Sequence, residues 1–216
     1  MSGRLHGDRP RLLAVCTGRV APLIVTERGT PETVISGIVK SPVGSRDAPV
    51  AVRVSAMGLE GDEQADLTVH GGLDKAVYVY PVVHYAFWQT VRAQAGVPAQ
   101  VTTSSVTDTT LAPGAMGENL LVDGLEETRV WVGDRLRIGA IELRVESPRQ
   151  PCYKFNAHMG FKWAVKMMIE SGFTGFYCSV VREGIVSPGD PMELIAGERV
   201  LSVEQTHRLR NRPKRR

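Results

Sequence analysis

The chain of 216 residues is 43% hydrophobic and 23% charged, enough to bury a substantial core as one domain of ordinary to large size, and no apolar run approaches the roughly 18 residues of a membrane helix. The net charge of +3 misleads as a global property, because six cations (Arg208, Arg210, Arg212, Lys214, Arg215, Arg216) crowd the last nine residues; the rest holds 20 of the 26 basic residues against 23 acidic ones, net −3. That balance argues against a nucleic-acid-binding body and leaves "RLRNRPKRR" as a solvated, disordered tail with no specific nucleic-acid partner.

In chain order, "MSGRLHGDRPRLLAVCTGRV" has early arginines but only a short apolar stretch and no small-residue cleavage site, so no export signal is read. Strand patterns follow in "RLLAVCTGRV", "TVISGIV", Val50, Val52 and Val54 around Arg53, and "KAVYVY". "PVVHYAFWQTVRAQAG" breaks the β pattern: Pro81 suits a first helical position and Gly96 a helix end. The polar loop from Gly96 to Ala115 is a flexible connection or a lid. "GENLLV", Leu136 and Ile138 between arginines, and Ile141, Leu143 and Val145 against charged neighbours are strands again. "GFKWAVKMMIESG" is helical, with its Trp and Met residues read as core; "GFYCSVV" and "PMELI" are strands. A short helix opens at "SVEQTHRL", with Ser202 as N-cap and Gln205 at N3. Many short strands at this spacing predict a barrel or closed sandwich.

Cys16, Cys152 and Cys178 are odd in number and form no CxxC pair, which speaks against a disulfide framework or a structural zinc and fits a reducing cytoplasm. Cys16 and Cys178 sit in apolar strands and read as small core residues. Cys152 differs: in "ESPRQPCYKFN" two prolines stiffen the backbone, and Arg149 and Lys154 favour a thiolate, either a nucleophile or a soft metal ligand.

Three further segments carry polar candidates. Lys40 and Ser41 end an apolar strand in "VKSPVG", as a solvated turn or as a charge and a hydroxyl for a phosphate. In "GLEGDEQADLTVHGGLDKAVYVYP", Gly71 and Gly72 after His70 either make a turn or let backbone N–H groups approach an anion near Lys75. The acids Glu60, Asp62, Glu63 and Asp66 read as a solvated loop without the EF-hand spacing. In "GENL", the Asn119 amide is able to read a heterocycle edge.

In this order, "SGIVKSPV", the His70 segment, "GENL", "VGDRLRIG", "SPRQPCYK", "SGFTGFY" and "GDPMELI" resemble the MOSC domain, the family named for the C-terminal part of molybdenum cofactor sulfurases, and within it the YiiM-type bacterial branch. The resemblance spans about residues 12 to 204. It implies one MOSC domain over 1–200, core about 12–196, then at 201–216 a short helix start and the basic tail, where the branch often carries a three-helix extension. The implied fold is mostly β (α+β): a barrel of many short, mainly antiparallel strands with a few peripheral helices.

The resemblance further implies that Cys152 ligates molybdenum beside the dithiolene of a bound molybdopterin and that Lys40 and Ser41 reach the cofactor phosphate. His70, Lys75, Asn119, Arg149 and Tyr177 line the pocket, with Cys152, His70 and Tyr177 as the catalytic set. The implied activity is reduction of N-hydroxylated compounds (N-hydroxylaminopurine-type bases, amidoximes) to amines. Since the chain has no flavin or iron–sulfur motif, electrons come from an external flavoprotein. The competing expectation is a non-catalytic carrier of the molybdenum cofactor or of a persulfide on Cys152. Met116 and Phe173 depart from the branch pattern at positions that bear on substrate contacts, and the chain is expected to be a monomer or homodimer.

Overall fold

The computed structural model describes residues 9–27, 29–66, 71–97 and 111–212. The chain opens with β1 (Arg11–Thr17), β2 (Ala21–Glu27), β3 (Thr30–Ser36), β4 (Ser41–Pro42), β5 (Val52–Ser55) and β6 (Gly58–Leu59). The middle holds β7 (Val77–Pro81), α1 (Tyr85–Gln94), β8 (Leu120–Asp123), β9 (Arg135–Ile138) and β10 (Ile141–Pro148). The remainder is α2 (Tyr153–Met159), α3 (Ala164–Ser171), β11 (Phe176–Arg182), β12 (Gly184–Val186), β13 (Met192–Ile195) and α4 (Val203–Arg210).

Eight strands form one sheet in the order β13-β9-β10-β11-β7-β8-β1-β4. Every pairing in it is antiparallel except β7 with β8, which run parallel from Val79↔Leu120 to Pro81↔Val122. The sheet curls into a half-barrel: Arg11 bridges Pro191 just before β13, and Gly189 N–H donates to the Leu12 carbonyl at 3.1 Å. A three-stranded sheet (β12-β5-β6) and the β2–β3 ribbon complete the β structure. The fold is thus mostly β, with four α-helices among the described residues.

Period-two alternation divides the interior into two cores. On β7, Val77 and Val79 join Leu120, Val122, Phe176 and Cys178 in the first, inside the curl. Tyr78 and Tyr80 join Leu121, Trp88, Phe155 and Met168 in the second, between sheet and helices. Because helices cover the second face, β7 is buried along its whole length and reads as a continuous apolar run.

Local chemistry sets the helix boundaries. Ser202 accepts from Gln205 N–H while Gln205 accepts from Ser202 N–H, the capping box expected at α4. Gly172 ends α3 in the left-handed region, φ 74°. Pro81 does not start a helix: it closes β7, and a 3-10 turn over Val82–His84 precedes α1. Trp163 is not core but the 56%-exposed N-cap of α3, with the Lys162 and Lys166 ammonium groups over its ring.

Two elements near the site went unread in the sequence. "APLIVTE" is a continuous apolar run rather than an alternation, and it forms β2, paired along its length with β3. α2 starts directly at the N-cap Cys152 with no side-chain cap; its one sequence signal is Gly160, which closes it at φ 79°. The long loop is described only at Gly96, Val97 and from Leu111 on, so the lid expectation lies outside the described residues; the basic tail expected to be disordered from Arg208 instead begins inside α4, which runs to Arg210, and residues 213–216 lie outside the described ones.

Ser202→Ala removes the cap from α4 and should lower stability by about 1 kcal/mol, measured as a shift in the urea midpoint at unchanged slope.

Candidate functional site

Where β7, β8 and β11 meet the segment entering α2, a cleft opens on the helix-covered face of the sheet. Tyr78, Asn119 and Tyr177 form its floor, Arg149 and Cys152 one side, and Lys40, Asp62 and Lys75 lie among the remaining lining residues. Register brings the floor together: Tyr177 pairs with Tyr78 on β7 and with Ser147 on β10, next to an irregularity between Val145 and Ser147. That irregularity bends β10 as it delivers Arg149 and Cys152.

Cys152 is half-buried, and α2 points its N-terminus at this residue. Arg149 is buried; its Nη1 donates to the Tyr78 hydroxyl at 3.2 Å and to the Met116 carbonyl, and its guanidinium lies over the Tyr78 and Phe155 rings at 4.9 and 4.8 Å. It also interacts electrostatically with Cys152. The Tyr177 ring packs 5.1 Å from that of Tyr78, and burial pushes its hydroxyl above the ordinary tyrosine value. The hydroxyl therefore keeps its proton across neutral pH.

The opposite wall is a network. Lys40 Nζ donates to Asp62 Oδ1, which also accepts from Gly18 N–H at 2.9 Å. Asn119 Nδ2 donates to Asp62 Oδ2 at 2.8 Å and to the Cys16 carbonyl at 3.3 Å, while its Oδ1 accepts from Tyr78 N–H at 3.0 Å. Burial pulls the Lys40 ammonium below its ordinary value, and Asp62 acts against that. Behind this wall Glu118 is fully buried and accepts from the N–H groups of Gly114 and Met116 at 2.7 and 2.9 Å and from the Tyr85 hydroxyl. It shapes the turn that presents Met116 to Arg149.

Set against the sequence expectations, the cleft gathers Lys40, Lys75, Asn119, Arg149, Cys152 and Tyr177. Ser41 is not with them: it is exposed, begins β4 and pairs with Thr17. His70 lies outside the described residues. Asn119 lines the cleft, and its amide makes three hydrogen bonds within the protein, so it braces the floor. Gly72 N–H is likewise spent, on Gln64 Oε1 at 3.0 Å. Asp62, expected in a solvated loop, has a side chain only 4% exposed. Its sequence signal was thin, since nothing in "GLEGDEQAD" separates Asp62 from the acids around it. Cys16 and Cys178 are buried core residues, as expected.

The lining carries four cations (Lys40, Lys75, Arg149, Lys154) against two carboxylates (Asp62, Glu63), net +2 within a body of net −3. A half-buried thiol, a positive wall and hydrogen-bonding tyrosines suit an anionic ligand bearing a soft metal. No buried side-chain nitrogen or oxygen among the described residues lacks a partner, so the site is held in shape by the protein itself.

The family model of the MOSC domain matches residues 66–193. Protein YflK of Bacillus subtilis (strain 168) is 41% identical over 175 residues, 81% of this chain and 70% of YflK. A protein named reductase from Gibberella moniliformis is 33% identical over 186 residues, 82% of this chain but 30% of that longer protein. The crystal structure of YiiM from Geobacillus stearothermophilus superimposes with a TM-score of 0.66 at 27% identity, covering 93% of this chain and 83% of YiiM.

Two outcomes test the scaffold. Asn119→Ala leaves Tyr78 N–H and the Cys16 carbonyl without their partner in a buried setting and should cost about 2–4 kcal/mol, read from urea unfolding; a loss below about 0.5 kcal/mol would refute the bracing role. His158 donates from Nε2 to the Ala115 carbonyl at 2.8 Å, and burial pulls its imidazole down to about 4. The unfolded chain takes up that proton near pH 6.5 and the folded one near 4, so the contribution is full above 6.5 and is lost as pH falls toward 4. His158→Gln should flatten the stability–pH curve in that window.

Proposed function

The chain belongs to the MOSC domain family, and from that premise we propose that it is a cytoplasmic molybdenum-cofactor oxidoreductase that reduces N-hydroxylated compounds to amines, fed by an external flavoprotein. The observation that carries the reading is the half-buried Cys152 thiol set beside Arg149 and Tyr177 in a cleft of net positive lining. The relative named reductase supports the reaction class. Among the described residues no helix is long and apolar enough to cross a membrane.

The residues present fit the molybdenum cofactor. Cys152 would hold the metal through its thiolate, and Lys40, Lys75 and Lys154 would face the anionic phosphate. When bound, the cofactor supplies two-electron reduction and oxygen acceptance; the chain supplies position, dryness and protons. In the net reaction one N–O bond breaks, two electrons arrive from the flavoprotein, and two protons are taken up to give amine and water. Tyr177 keeps its hydroxyl proton at neutral pH and would donate it toward the departing oxygen. Arg149, fixed between two aromatic rings, holds positive charge beside Cys152 without needing to move. His70, whose side-chain type ordinarily titrates near working pH, and Lys75 are the alternative proton donors.

Cys152→Ser should fold normally yet retain only background molybdenum, because a hydroxyl is a poor soft-metal ligand; Cys16→Ser and Cys178→Ser should keep their metal. Elemental analysis of protein from a molybdate-replete host reads this directly. With chemical reductant, the loaded wild-type protein should convert N-hydroxylaminopurine and a benzamidoxime to their amines. Full molybdenum occupancy without turnover of either would leave the carrier reading in place of the reductase.

A further inference from the structure

Lys40 is a long, flexible side chain in a place where flexibility would be expected to scatter it, yet it is only 8% exposed in the cleft wall. Its partner, Asp62, does not depend on it for position. Gly18 N–H and Asn119 Nδ2 fix both Asp62 oxygens independently of the lysine. Gly18 is itself pinned: a Cβ there would lie 2.1 Å from the Val39 carbonyl oxygen. Asn119 is locked by Tyr78 N–H and the Cys16 carbonyl. The order of cause therefore runs from β1 and β7 to Asp62, and from Asp62 to Lys40.

Resting on the reading of this cleft as the seat of a phosphate-bearing cofactor, we propose that Asp62 is a positioning residue of that site. It holds the Lys40 ammonium in the cleft wall as a cation, so that a ligand phosphate meets a donor whose place and charge are already set. The pair is net neutral. Lys40 thus offers directed hydrogen bonds, while the net attraction for an anion comes from the other cations of the lining. The remaining titratable groups facing Lys40 are the buried Cys16 thiol on β1 and the buried Glu118 carboxyl ahead of β8. Burial pushes both Cys16 and Glu118 up, and it is Asp62 that hydrogen-bonds the ammonium directly. Without Asp62, burial acts on Lys40 with its largest opposing influence gone, and the ammonium loses its proton at a lower pH.

The test is a titration of the full-length, cofactor-free protein with inorganic phosphate across pH 6 to 10, followed by the side-chain nitrogen resonance of Lys40. In the wild type, binding should weaken as Lys40 passes through its own transition and loses its proton. In Asp62→Asn the pH at which binding is lost should move down by about 1–3 units, and Asp62→Glu, which restores the carboxylate, should move it back. Should Asp62→Asn fail to fold, the comparison of wild type with Asp62→Glu and the wild-type Lys40 transition itself decide: a Lys40 ammonium that titrates far below the ordinary lysine range with Asp62 in place overturns the proposal. Phosphate binding that Lys40→Met leaves unchanged overturns the cleft reading and this inference together. Binding lost in Lys40→Met but with an unmoved pH profile in Asp62→Asn overturns the inference alone.

Discussion

The side-chain amide of Asn119 joins parts of the chain that sequence keeps far apart. One oxygen and one nitrogen satisfy Tyr78 on β7, Cys16 on β1 and Asp62 after β6, and the residue itself leads into β8. This is where the large sheet makes its one parallel pairing, β7 with β8. A parallel pair cannot be closed by a tight hairpin, so its register must be set by something other than a turn. The buried amide does that, and a buried amide with any partner missing would be costly. The same residue then decides where the cleft floor and the Lys40–Asp62 pair sit.

Around that hub the protein buries charge in a graded way. Glu118 is enclosed completely and is satisfied by two backbone N–H groups and a tyrosine hydroxyl. Lys40 and Asp62 are enclosed as a pair, and Arg149 is sandwiched by aromatic rings while donating to a carbonyl and a hydroxyl. Each arrangement removes a charged group from water only after supplying partners, as a low-dielectric interior demands. The cleft consequently presents charges that need little reorganisation when a ligand arrives. Farther back, the buried His84–Glu127 pair performs the same service for the segment before β11: Glu127 also accepts from Gly175 N–H, and Phe173 stacks on His84 at 3.9 Å. Phe173, a departure from the branch pattern in sequence, is therefore part of the packing that delivers Tyr177.

Legibility followed the range of the forces involved. Strand alternation in β5, β9 and β10, the Ser202–Gln205 capping box and the Gly172 helix end are local, and each was readable from neighbouring residues. The standing of Cys152 apart from Cys16 and Cys178 was readable too, because apolar neighbours flank the latter two and prolines and cations the former. α2 escaped because its N-cap is Cys152, a residue with no capping preference, preceded by Pro151. Trp163 was misplaced because helical spacing tells which residues share a face, not which face meets the core.

The sequence by itself determined a mostly β family fold, the setting of Cys152 apart from the two core cysteines and the cations that neighbour it in the chain, since these rest on residue type, short-range periodicity and ordered motifs. Only the tertiary structure decided what each polar group is free to do. Asn119 gained three protein partners and became a brace, Ser41 was carried out to the surface on β4, and Asp62 was lifted from a run of acids to become the counter-ion of Lys40. The physical reason is common to all three: a polar side chain's role is fixed by which partners reach it within hydrogen-bonding distance. Those partners, Tyr78, Cys16 and Gly18 among them, come from strands and turns brought together only when the sheet curls closed.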